Sequence, residues 1–153
     1  MTNICAAIGC AQMERIDYHL SRRREVADWY FEALKFHDDI FVLPYQAAWA
    51  HHCYWMFTLT VRDHVDVQRD AVIQAMERRG IETRPVFYPM HSMPPYQYDT
   101  NRYPVADRYA LRGISLPTHA GLSRVDVDLV CRELMASIQE VSSQVGTSLP
   151  RAA

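Results

Sequence analysis

Lysine is almost missing from this chain: Lys35 is the only one, and arginine supplies the rest of the 16 basic residues. Any chemistry that needs a side-chain primary amine therefore has one candidate. Paired cysteines are missing too. Cys5, Cys10, Cys53 and Cys131 show no C-x-x-C spacing. That pattern reads as reduced thiols in a cytoplasmic protein, used as small apolar residues. No apolar run reaches membrane-spanning length, and no basic segment followed by an apolar run marks a secretory leader. Positive charge is not in excess, since the formal net charge is -2, which argues against a nucleic-acid surface. His51 and His52 are neighbours whose side chains point apart on an extended chain, and no Cys or His stands at ligand spacing from them, so no metal site is expected. Internal repeats and low-complexity segments are absent.

What is present is an ordinary globular composition, 49% hydrophobic and 22% charged over 153 residues, enough for one domain with a core. Residues 2–19 read as a helix with Thr2 or Asn3 as N-cap. Its first half, Ile4 to Ala11, is apolar almost all round, with small residues in rows four apart, and such a helix is buried on most sides. A small free-standing domain would leave it without partners. Ser21 caps a second, half-buried helix to about Lys35, with Val26, Tyr30, Ala33 and Leu34 as its apolar stripe. Arg22, Arg23 and Arg24 read as its solvated face.

Residues 41–44 are a short extended piece. Residues 53–61 form the clearest strand, with Cys53, Trp55, Phe57, Leu59 and Val61 on the core side of a period-two alternation. Residues 66–79 form a helix with Asp66 as candidate N-cap and Gly80 just past its end. Residues 104–111 form a short helix, 114–116 a short strand, and Ser123-x-x-Asp126 opens a long helix to about Val141. The order of elements predicts an α/β fold, a two-layer unit with a small sheet covered by helices.

The stretch Gly80 to Tyr96, G-I-E-T-R-P-V-F-Y-P-M-H-S-M-P-P-Y, stands out within that frame. It reads as a strand at 81–88 followed by a loop stiffened by Pro89, Pro94 and Pro95. It presents Arg84, Tyr88 and His91 together, a set suited to a polar, anionic ligand. An edge strand with packed Tyr and His side chains would read the same way.

Four ordered blocks, M-T-N-I-C-A-A-I-G-C-A-Q-M-E-R-I-D, the aromatic strand around Y-W-M-F, G-I-E-T-R-P-V-F-Y-P-M-H and L-P-T-H-A-G-L-S, resemble the DegT/DnrJ/StrS family of sugar aminotransferases. The resemblance implies the small domain of the aspartate-aminotransferase fold, pyridoxal phosphate (PLP) fold type I. It implies transfer of an amino group, usually from glutamate, to a keto group on a nucleotide-linked sugar by a homodimer. The matched blocks fall in the family's C-terminal part. The large domain, which carries the Schiff-base lysine, has no counterpart among these residues, and Lys35 lies outside any family lysine block.

The expectation is therefore a C-terminal portion that is inactive and holds no PLP alone. Residues 1–36 would be linking helices, 37–145 the small domain and 146–153 a disordered tail. The partners would be a second copy or the large domain, with a nucleotide sugar and an amino donor as substrates. By resemblance Asn3 reaches the cofactor phosphate, although as a plain N-cap it would look the same, and Arg84, Tyr88 and His91 border the sugar-nucleotide site. One half of a split enzyme, or a non-enzymatic module binding a nucleotide sugar or a protein partner, are the alternatives.

Overall fold

A computed structural model describes residues 1–97 and 103–147. Five helices and four strands follow in the order α1 (Asn3–Met13), α2 (Ile16–Leu34), β1 (Phe41–Val42), β2 (Phe57–Val61), α3 (Arg69–Arg78), β3 (Arg84–Pro85), α4 (Pro104–Arg112), β4 (Gly113–Leu116) and α5 (Arg124–Thr147). The strands form one antiparallel sheet in the order β1-β2-β4-β3.

The register explains why one face is covered. Phe57 lies opposite Leu116 and Leu59 opposite Ile114, while Thr58 faces Ser115 and Thr60 faces Gly113. Side chains alternate across a strand, so the apolar set shares one face and the hydroxyl set the other. On the apolar face Phe57, Leu59, Val61, Ile114 and Leu116 are buried beneath Val26, Tyr30 and Leu34 of α2, Val72 and Met76 of α3, and Val127, Leu134 and Ile138 of α5. α5 packs against both α2 and α3. The Tyr30 and Phe57 rings stack with centroids 4.8 Å apart. The Tyr30 hydroxyl donates to the Pro117 carbonyl at 2.9 Å, and burial pushes its pKa far above the ordinary phenol range.

Several termini follow their sequence signals. Gly80, at φ 77°, sits in the left-handed region that glycine tolerates. The Ile81 amide donates to Met76 and the Gly80 amide to Glu77, which is the Schellman pattern closing α3. The Ser123 amide donates to the Asp126 carboxylate at 2.8 Å, and the Asp126 amide to the Ser123 hydroxyl at 3.3 Å. That reciprocal pair opens α5. These bonds from Ser123 hold the Asp126 carboxyl below its usual range. Pro104 occupies the first turn of α4, where a missing N–H costs no hydrogen bond.

Other elements differ from expectation. The first helix ends at Met13 and a new one starts at Ile16, because Arg15, at φ -115° and ψ 15°, leaves helical geometry. Ser21 caps nothing; its hydroxyl donates back to Tyr18 at 2.9 Å inside α2. The strand expected from Cys53 begins only at Phe57. Tyr54 turns the chain with φ 45° and is buried, while Cys53 and Trp55 are exposed. The strand expected at 81–88 pairs only over Arg84–Pro85, since Pro85 has no N–H to continue the ladder. α3 starts at Arg69 with Gln68 as its cap residue, and Asp66 plays no part. Of the four cysteines only Cys131 is buried; desolvation, with Asp128 nearby, pushes its thiol up to about 12. The tail expected from Gly146 overlaps the end of α5 for two residues and otherwise lies outside the described residues.

Candidate functional site

The sheet face turned away from α2, α3 and α5 carries the polar set. Thr58 and Ser115 share a hydrogen bond of 2.9 Å there, and Arg84 on β3 pairs in register with Ser115. Met56, Glu82, Arg84, Ser115, Thr118 and His119 line a depression of about 420 Å³ on this side. Arg84 is exposed and donates through Nε and Nη2 to one oxygen of Glu82, at 3.1 and 2.6 Å. Its charge is thus balanced at the rim, and an incoming anion would compete with Glu82 for the guanidinium.

Two loops frame the depression, and α2 holds both. Arg22 donates to the carbonyls of Ala120 and Leu122, at 3.2 and 2.8 Å. Arg23 donates to those of Tyr54 and Trp55, at 3.4 and 2.9 Å. Arg24 reaches the His52 carbonyl at 3.3 Å. This triplet is therefore not the solvated face its acidic neighbours suggested. A guanidinium fork satisfies carbonyls that have no sheet partner, which a run of arginines does better than lysines would. Thr118 ties the loops to each other, donating to the Trp55 carbonyl at 3.1 Å.

The three candidate ligand residues are spread out. Arg84 lines the depression on the open sheet face. Tyr88 is exposed with 72% of its surface free. His91 is buried in a 3-10 turn over Met90–Ser92. Its Nε2 and Asp107 Oδ1 of α4 are 2.8 Å apart, and its ring lies 4.9 Å from that of Tyr103. It borders a separate, apolar cavity with Pro89, Met90, Tyr96, Tyr103 and Ala106. Sequence reasoning missed Trp55, Ser115 and His119. Sequence periodicity puts Trp55 on the core side, but the strand begins only at Phe57 and Trp55 is exposed.

α1 stands apart. None of its residues is buried, and Ile4, Ile8 and Met13 are 74%, 60% and 64% exposed. Its cap is Thr2, whose hydroxyl accepts from the Cys5 amide at 3.3 Å, and Asn3 is exposed beside it. Lys35 holds its ammonium over the Phe36 ring, 4.7 Å from the centroid, at the far end of α2. A cofactor phosphate would meet one amide side chain and a helix end, with nothing around them to enclose a ring. Among the described residues no cluster of three His, Cys, Asp or Glu forms a metal-binding group, and no helix is long and apolar enough to cross a membrane.

Residues 1–135 match the model of the DegT/DnrJ/EryC1/StrS aminotransferase family. GDP-perosamine synthase of Caulobacter vibrioides is 43% identical over 135 residues, which are 88% of this chain and 36% of that protein. GDP-perosamine synthase of Escherichia coli O157:H7 is 37% identical over 134 residues, 88% of this chain and 35% of that protein. A sugar aminotransferase of Streptococcus pneumoniae, solved in its PMP form, superposes with a TM-score of 0.85 at 22% identity, over 95% of this chain and 37% of that one. The aminotransferase TlmJ from Streptoalloteichus hindustanus superposes at 0.77 with 29% identity, over 90% of this chain and 36% of that one. The chain thus spans about a third of the length of the relatives it matches.

Proposed function

The chain belongs to the DegT/DnrJ/EryC1/StrS aminotransferase family, and we propose that it is the C-terminal portion of a PLP-dependent enzyme that moves an amino group, with glutamate as donor, onto a keto group of a nucleotide-linked sugar. Its fold is the small domain of PLP fold type I enzymes. The observation that carries the reading is the pairing of a family match over residues 1–135 with a first helix that buries nothing among the described residues. An apolar helix left exposed in this way supports a further protein surface over it. We assign that surface to the large domain of the enzyme, within a homodimer in the cytoplasm. PLP, when bound, would supply the carbonyl that shuttles the amino group. This chain offers Asn3 toward its phosphate and no amine to anchor it, so the 153 residues alone hold no cofactor and catalyse nothing.

What these residues do in that enzyme is bind and orient. Arg84 exchanges Glu82 for an anionic group of the substrate. Tyr88 and His91 lie on the same proline-stiffened loop, which His91 orders through Asp107. The relatives' names direct the test to a GDP-linked keto sugar. Co-expression of this chain with the N-terminal two-thirds of the Caulobacter vibrioides relative should give a stable complex that forms the amino sugar with glutamate and PLP. A chain that stays a separate, monodisperse species in that experiment, yet binds a nucleotide sugar, would make it a non-enzymatic module instead.

A further inference from the structure

We propose that Trp55 and Phe87 form an aromatic ledge that stacks on the base of a nucleotide sugar, at the mouth of the depression lined by Arg84 and His119. The inference rests on the nucleotide-sugar reading above and assigns a binding surface within it. Trp55 and Phe87 are 61% and 67% exposed, yet their rings are ordered against each other, with centroids 6.3 Å apart and planes 26° apart. The two rings stack on each other, and a base laid on the outer face of the pair would extend that stack. Base–aromatic stacking gains by the same area and π-face contacts whichever base is offered.

The backbone beneath Trp55 is built at a cost. Tyr54 is a buried non-glycine residue at φ 45°, a conformation that persists only where surroundings impose it, and such residues gather at ligand clamps. Here Arg23 takes the Tyr54 and Trp55 carbonyls, Thr118 takes the Trp55 carbonyl again, and His52 Nδ1 accepts the Tyr54 amide at 2.8 Å. The turn inverts the alternation of the coming strand, so that Tyr54 goes inward and Trp55 outward. Phe87 is fixed from the other side. Val86 lies so close to Gly113 that a Cβ there would meet Val86 Cγ2 at 2.3 Å.

Ligand chemistry follows from the neighbours. Trp55 is flanked in sequence by Met56 and bonded by Thr118, and both line the depression that contains Arg84 and His119. A base on the ledge leaves its phosphates beside Arg84. The chain has three tryptophans, Trp29, Trp49 and Trp55, so indole N–H resonances of the ¹⁵N-labelled 153-residue protein report on each. Titration with GDP-mannose should move the Trp55 signal, identified by its loss in Trp55→Phe, and leave Trp29 and Trp49 in place. Mannose alone should move none of them.

Trp55→Ala and Phe87→Ala should each weaken GDP-mannose binding by about tenfold, the worth of one base stack. Trp55→Phe should retain most of it, which separates ring contact from damage to the turn. A Trp55 signal that stays fixed at millimolar GDP-mannose, an equal response to mannose alone, or affinity unchanged in Trp55→Ala would each overturn the ledge. Failure of the complemented protein to form an amino sugar, with Trp55 still responding to GDP-mannose, would sink the reaction and leave the ledge standing.

Discussion

α1 and α5 are both rich in apolar residues, but they meet opposite fates. α5 places Val127, Leu134 and Ile138 in the core, at the spacing that turns one helix stripe toward a sheet. α1 spreads Ile4, Ala6, Ala7, Ile8 and Ala11 around its circumference and buries none of them. The first pattern is written for a partner inside the chain. The second buries nothing among the described residues. One helix stabilises the domain and the other adds no buried residue to its core.

The contrast can be broken by substitution. The largest effect is expected in the core: Phe57→Ala or Leu134→Ala should cost about 2–5 kcal/mol, a large share of the stability of a domain of this size, whereas Ile8→Ala in α1 should change stability by under about 0.5 kcal/mol. Chemical denaturation followed by circular dichroism checks both, and equal effects would show that α1 is packed after all. Gly113→Ala comes next. Its new Cβ would press on Val86 Cγ2 and on the Tyr109 carbonyl oxygen at 2.6 Å, and crowding of that kind costs about 1–3 kcal/mol. The same melt measures it.

Arg23→Ala strips the part-buried Tyr54 carbonyl of its donor and should cost about 1–3 kcal/mol. Arg23→Lys should restore little, because one ammonium does not reproduce the fork. The smallest effects come from titration. The Asp126 carboxyl is depressed by its bonds from Ser123. Its contribution is fully present above the ordinary aspartate pKa of about 3.9 and is lost as pH falls through the lower folded value. Ser123→Ala should flatten that acid limb of the stability curve. Cys131 works at the other end: its thiol stays protonated to about 12 in the folded state. The stability this reflects is present below the ordinary thiol pKa of about 8.5 and declines as pH rises above it. At pH 8 an alkylating reagent should modify Cys5, Cys10 and Cys53 quickly, and Cys131 only on unfolding.

Much of the frame was legible because it depends on local chemistry. Gly80, Pro104 and the Ser123–Asp126 pair act through neighbours a few residues away, and the stripe of α5 is plain from its period. Long-range bonding was not legible. The alternation from Cys53 onward is the same whether or not Tyr54 breaks it, and one of the groups bonded to the broken turn is an arginine 31 positions earlier in the chain. Arg22, Arg23 and Arg24 looked solvated because Glu25 and Asp28 lie within a turn, while their carbonyl partners are far off in sequence. The candidate site suffered most. Arg84, Tyr88 and His91 are close in the chain, but the short pairing of β3 and the 3-10 turn after it send Arg84 and His91 to different cavities.

The triplet on α2 has a mechanical consequence. Arg22 grips the loop after β4 and Arg23 with Arg24 the loop before β2, so both are fastened to a single rigid rod. α1 precedes that rod with only Glu14 and Arg15 between them. Both loops keep their shape only while α2 keeps its place, and the Thr118–Trp55 bond joins them into one piece.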